Sequence, residues 1–172
     1  MMPKNSPGAI SKLIPRITGT LLPGVLLLFG GLTVMFPALA IALDQMPAQP
    51  GWIALAVVLA TALGATAATV AAAFARTTDG AAVVALPIFA ALVGGGIWAT
   101  LVPLGEITWR MRATGGGALT ELVRIGWEGP ADAGGMTEAA VAAGPSVLVI
   151  LALTVVLAIA ATRVFRWNPH NR

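Results

Sequence analysis

Residues 139–162 read AAVAAGPSVLVILALTVVLAIAAT, 24 positions without a charged side chain, closed by Arg163 and Arg166. A helix rising about 1.5 Å per residue needs about 20 apolar residues to cross a hydrocarbon core of roughly 30 Å. This stretch is therefore long enough to span a bilayer. Three more such runs precede it: Ile17 to Leu43, Trp52 to Ala75, and Ala81 to Gly105. A β-barrel strand would alternate polar and apolar residues, whereas these runs are apolar throughout. The sequence thus predicts an all-α integral membrane protein with four transmembrane helices, spanning 17–43, 52–75, 81–105 and 139–162.

Composition points the same way. Of 172 residues, 58% are hydrophobic and only 10% are charged, and the mean hydropathy is +0.89. Soluble domains carry roughly 25% charged residues, so this chain has too few charges to coat a water-soluble globule. A soluble enzyme and a disordered chain are both excluded. There are no cysteines, which removes thiol catalysis, iron–sulfur ligation, disulfide scaffolds and Cys-based zinc sites.

The charges that remain set an orientation. Four spans place both termini on one side, with Lys4, Lys12, Arg16, Arg76, Arg163, Arg166 and Arg172. The other side has Arg110, Arg112 and Arg124 only. Basic residues favour the cytoplasm, so segments 1–16 and 163–172 are read as cytoplasmic in a multi-pass protein of the plasma (inner) membrane. The 106–138 loop falls outside, where Glu106, Glu121, Glu128, Asp132 and Glu138 outnumber its arginines. Basic flanks of this kind meet anionic headgroups, and no nucleic-acid partner is expected. Ala38-Leu39-Ala40 has the form of a signal-peptidase site, but the apolar run before it is too long and Pro37 lies within it. Retention as a first helix is the expectation.

Within the second run Ala56, Ala60, Gly64, Ala68 and Ala72 recur every four residues, with Thr61, Ala65, Thr69 and Ala73 beside them. Such small-residue faces let helices approach closely in lipid, chiefly within the chain, the alternatives being contact between copies or a substrate path. Pro23, Pro37, Pro87 and Pro145 interrupt the other spans, and Gly94-Gly95-Gly96 lies late in the third. No Asp, Glu, Lys, Arg or His lies inside any run, which argues against a self-contained proton-driven carrier. Trp52, Trp98, Trp109, Trp127 and Trp167 form an interfacial belt.

In the outer loop, Gly115-Gly116-Gly117 precedes a stretch that predicts a short amphipathic helix near 118–127, lying on the outer membrane surface. Its apolar face is Leu119, Leu122 and Val123. Glu121 and Arg124 lie off that face and are spaced to pair, and Trp127 follows. No catalytic, cofactor-binding or metal constellation is present. Neither lysine follows a glycine loop, and His170 stands alone in the tail.

Four motifs together resemble one family. Leu13-Ile14-Pro15-Arg16 precedes the first run. Ala73-Phe74-Ala75-Arg76-Thr77-Thr78-Asp79-Gly80-Ala81 forms a short turn ahead of a helix with Leu86-Pro87. Gly115 to Trp127 stands before the last run, and Arg163-Val164-Phe165-Arg166-Trp167 closes it. In order and spacing these are similar to the third to sixth helices of type-2 ABC exporter permeases, whose outer segment before the last helix is re-entrant or surface-bound. The family's first two helices and leading amphipathic helix have no counterpart in this sequence, as in a late start, a truncation or a short subunit. The resemblance implies a permease subunit without its own nucleotide site, paired with a second permease copy as homo- or heterodimer and driven by a separate ATPase that uses ATP. Lys12, Arg16, Arg76 and Asp79 would face that ATPase, and the cargo would be drug-like, lipid or otherwise amphiphilic. The rival expectation is a non-transporting four-helix protein that assembles with or regulates another membrane complex.

Overall fold

The computed structural model describes residues 34, 38, 40–42, 44–74, 78–130 and 135–164. Most of the expected first span, together with Lys12, Arg16, Arg76 and Trp167, lies outside them. The chain divides into two compact units, Met1–Met46 and Pro47–Arg172.

In the first unit, Ala40, Ile41 and Ala42 are helical and the helix ends in a Schellman closure. The Asp44 N–H donates to the Ile41 carbonyl at 3.3 Å and the Gln45 N–H to Ala40 at 3.1 Å. Asp44 takes φ +50°, the left-handed turn that this motif needs. The charge that closes the first apolar run therefore also stops its helix.

The regular structure of the second unit is all helical among its described residues. Helix α1 runs Pro50–Phe74, α2 Thr78–Thr100, α3 Trp109–Ala113, α4 Gly116–Glu128 and α5 Met136–Val164, with a 3-10 turn at Leu104–Glu106. Three stretches are long and apolar enough to cross a membrane: Pro50–Phe74, Val83–Thr100 and Met136–Arg163. Helices of this length and composition are those of a multi-pass membrane protein. Pro50 sits at the first helical position, where its missing N–H costs nothing. Helix α2 stops at Thr100, short of the expected Gly105, because Pro103 cannot continue it.

Helix α1 packs most extensively on α5. Its buried side chains are Ile53, Ala56, Leu59, Leu63, Ala67, Val70 and Ala71. Of the expected stripe only Ala56 joins this face. Ala60 is half-buried, and Gly64, Ala68 and Ala72 are exposed. The reason is geometric: at 3.6 residues per turn a step of four advances about 40° beyond a full turn, so a strict four-residue stripe drifts around the helix. The buried stripe mixes steps of three and four as far as Val70, with Ala71 beside it, and stays on one side. The outward faces are apolar, with Val83, Leu86, Phe89 and Ile97 of α2 and Val141, Leu148 and Val156 of α5 exposed. Side chains like these belong against lipid.

Candidate functional site

The α3–α4 segment does not lie across the outside of the bundle. It forms a hairpin inserted between the spans. Leu63 of α1, Leu92 of α2 and Leu153 of α5 converge on Gly115 at the hairpin turn. Leu63 stands 13 residues into α1 and Leu92 eight residues before the end of α2. At about 1.5 Å per residue the turn therefore reaches roughly 12–20 Å along the spans. Helix α4 then climbs back beside α2, its start near Leu92 and Arg124 beside Ala99. Such irregular backbone is tolerated among membrane helices where protein buries it.

Glycine makes this insertion possible. Gly115 has φ +75°, a conformation that side chains disfavour. Next to it, a Cβ on Gly116 would coincide with the Leu92 carbonyl, and one on Gly95 would coincide with Thr114. Gly95 and Gly96 of α2 thus lie against Thr114, Gly116 and Thr120 of the hairpin, while Gly117 lies against Met111 within the hairpin. At the far end a Cβ on Gly126 would come within 2.5 Å of Ile53 Cγ1. Gly129, at φ +84°, closes α4 with its N–H on Ile125. The last α4 carbonyls are satisfied from the segment leading into α1: Gln49 N–H donates to Gly126 at 2.8 Å and Ala48 N–H to Trp127 at 3.2 Å.

A charged cluster lies inside this packing. Arg112 Nε donates to Glu121 Oε2 and Nη2 to Oε1, each at 2.6 Å. Ser146 of α5 donates its hydroxyl to the same Oε2. Glu121 is 3% exposed and Ser146 fully buried, and Arg112 keeps 22% of its side chain accessible. The hydrogen bond to Glu121 raises the Arg112 pKa above the ordinary arginine value; partial burial opposes this and the charge of Glu121 reinforces it. Among the described residues every buried side-chain nitrogen and oxygen has a hydrogen-bond partner. The cluster is fully satisfied.

Arg124 has a different task from the expected pairing with Glu121. Its Nη1 donates to the Ala99 carbonyl at 3.2 Å and to Val102 at 2.8 Å, capping the carbonyl end of α2. Its Nε meets Glu128 at 2.9 Å. The remaining residues of the expected loop helix divide accordingly. Leu122 is fully buried, Leu119, Val123 and Trp127 are half-buried, and Glu121 points inward. Glu121 joins the covered face because Arg112 and Ser146 are there to hold it.

Below the hairpin turn lies an apolar cleft of about 400 Å³ between α1, α2 and α5. Leu63, Ile88, Leu92, Leu153 and Leu157 form its walls, and Ala113 and Thr114 its end. Apart from the Thr114 hydroxyl, its lining side chains are hydrocarbon. No cluster of three or more His, Asp or Glu able to hold a metal occurs among the described residues. Asp79 lies in the first turn of α2. Compared with known proteins, the chain matches no family model, no curated protein and no solved structure.

The Arg112–Glu121 pair and the Ser146 contact were not legible as a site. The available signal was two opposite charges nine residues apart across a glycine turn, a spacing that a helical hairpin brings together.

Proposed function

We propose that this chain is a transmembrane permease subunit of an ATP-binding-cassette exporter, moving a drug-like, lipid or other amphiphilic cargo across the plasma membrane. The observation that supports this most is the α3–α4 hairpin inserted ahead of the last span, with an apolar cleft beneath it. A re-entrant or surface-bound segment at that point is what the resemblance implies, and a hydrocarbon-walled cleft suits an apolar cargo. Within the three membrane-spanning stretches the ionisable groups are Glu138 and Arg163, at the two ends of the last. On this reading the energy comes from a partner: a separate ATPase that binds and hydrolyses ATP, working with a second permease copy. Lys12, Arg16, Arg76 and Asp79 form the ATPase-facing surface, with both termini in the cytoplasm.

The test is purification of the full chain in mild detergent, with identification of what accompanies it. The expected partner is a nucleotide-binding subunit whose ATP hydrolysis rises in the chain's presence and falls with Arg76→Glu or Asp79→Lys. Recovery of a membrane complex with no nucleotide-binding subunit would overturn this reading in favour of a non-transporting assembly or regulatory protein.

A further inference from the structure

Helices α2 and α5 have next to no direct contact, although each packs on α1 and on α4. Between them lies the cleft, with Pro87, Ile88 and Leu92 on one wall and Leu153, Val156 and Leu157 on the other. What joins the two spans is the hairpin, and its polar anchors point in opposite directions. At its outer end Arg124 holds the carbonyls of Ala99, in the last turn of α2, and Val102, just past it. Midway along, the Glu121 carboxylate, braced by Arg112, holds the Ser146 hydroxyl of α5.

We propose that the α3–α4 hairpin is a strut that fixes the spacing of α2 and α5, with Glu121 as the fastening to α5. Ser146 is well placed for this. It directly follows Pro145, which removes one helical hydrogen bond from α5. The carboxylate therefore grips α5 just past its weakest point, where the long apolar remainder of the helix begins. A hydrogen bond to a charged acceptor in a low-dielectric interior is strong, and losing it leaves both the hydroxyl and the ion pair rearranged. Helix α1 cannot substitute as a link. It touches both spans, but it packs far more extensively on α5 than on α2, so it moves with α5 and leaves the α2–α5 spacing to the hairpin. Because the proposal concerns only the internal mechanics of this chain, it does not depend on the permease reading.

The chain has no cysteine, so spin labels can be placed one pair at a time. One label goes at Ile159 of α5, with the second at Val83 of α2 or at Phe74 of α1; all three are exposed. Distances are measured by double electron–electron resonance in nanodiscs holding the full chain. With Glu121 intact both pairs give a narrow distribution. In Glu121→Gln the Val83–Ile159 distribution broadens and gains a longer population, while Phe74–Ile159 stays narrow. Ser146→Ala, a milder change that keeps the ion pair, moves the first pair in the same direction and serves if Glu121→Gln fails to fold. A Val83–Ile159 distribution unchanged in every folded variant would overturn the strut. So would equal broadening of both pairs, because that reports general loosening.

Discussion

Arg112 and Glu121, nine residues apart in sequence, meet across the Gly115 turn as a two-pronged ion pair with both contacts at 2.6 Å. The pair lies among helices whose other core side chains are Leu122, Ile125 and Ile150, all fully buried. Buried pairs of this kind recover little more than their own desolvation cost, yet leaving one partner alone is expensive. Glu121→Gln should therefore destabilise the folded chain by about 3 kcal/mol, the lower end of the range for a broken buried pair, because Arg112 keeps some access to solvent. Arg112→Met combined with Glu121→Leu should be close to neutral. Reversible unfolding in mixed micelles measures both. The raised Arg112 pKa adds a sign. Its contribution is fully present below the ordinary arginine range and is lost only above the raised value, so across neutral pH Arg112 imposes no pH dependence on stability.

The close approach at Gly116 makes a sharper prediction. Its missing Cβ position is occupied by the Leu92 carbonyl, which is backbone and cannot swing aside. Gly116→Ala should cost about 1–3 kcal/mol through forced separation of α4 from α2. Gly64→Ala is the matching control, since nothing lies within 4 Å of its Cβ position. It should be neutral or gain up to about 1 kcal/mol from helix propensity. If both substitutions behave alike in an unfolding assay, the hairpin does not pack as described.

How much of this was legible follows from which interactions repeat along a helix. The three described spans declare themselves because charge is missing for longer than a helix needs to cross a bilayer, and α1, α2 and α5 begin and end within a few residues of the charge-free runs except where Pro103 cuts α2 short. The segment at 118–127 also carries a helical pattern, and a helix lies at Gly116–Glu128. Its burial was not legible. Glu121 and Arg124 read as a solvated pair because sequence spacing exposes only local partners, whereas their partners Ser146 and the Ala99 carbonyl are 25 residues away. The role of the glycine triplets was hidden for the same reason. Their function appears only when Gly95 meets Thr114 and Gly116 meets Leu92 across two elements. The small-residue stripe on α1 failed through arithmetic rather than context, because steps of four do not stay on one face.

Arg124 separates two contributions that a surface reading would merge. Its contact with Glu128 involves a carboxylate that is 51% exposed, so Glu128→Gln should change stability by less than about 1 kcal/mol. Arg124→Met removes the donor from the Ala99 and Val102 carbonyls and should cost about 1–3 kcal/mol. Hydrogen exchange should localise the second effect to the last turn of α2, leaving the amides of α1 unchanged. A larger effect from Glu128→Gln than from Arg124→Met would reverse the assignment.

Orientation provides a prediction about the whole topology. Lys and Arg are retained on the cytoplasmic side in segments near a span, and seven of the ten fall in 1–16, at position 76 or in 163–172. The loop containing Arg110, Arg112 and Arg124 would then face outward. Two of its arginines are not free to act as topology signals, since Arg112 is bound to Glu121 and Arg124 to the Ala99 and Val102 carbonyls and Glu128. Single cysteines at Gly105 and Met136, both exposed, should react with an impermeant maleimide in intact spheroplasts. A cysteine at Ser6 or Asn171 should react only after permeabilisation. Labelling in the opposite sense would place the hairpin on the cytoplasmic side and remove the outward-facing loop on which the exporter reading depends.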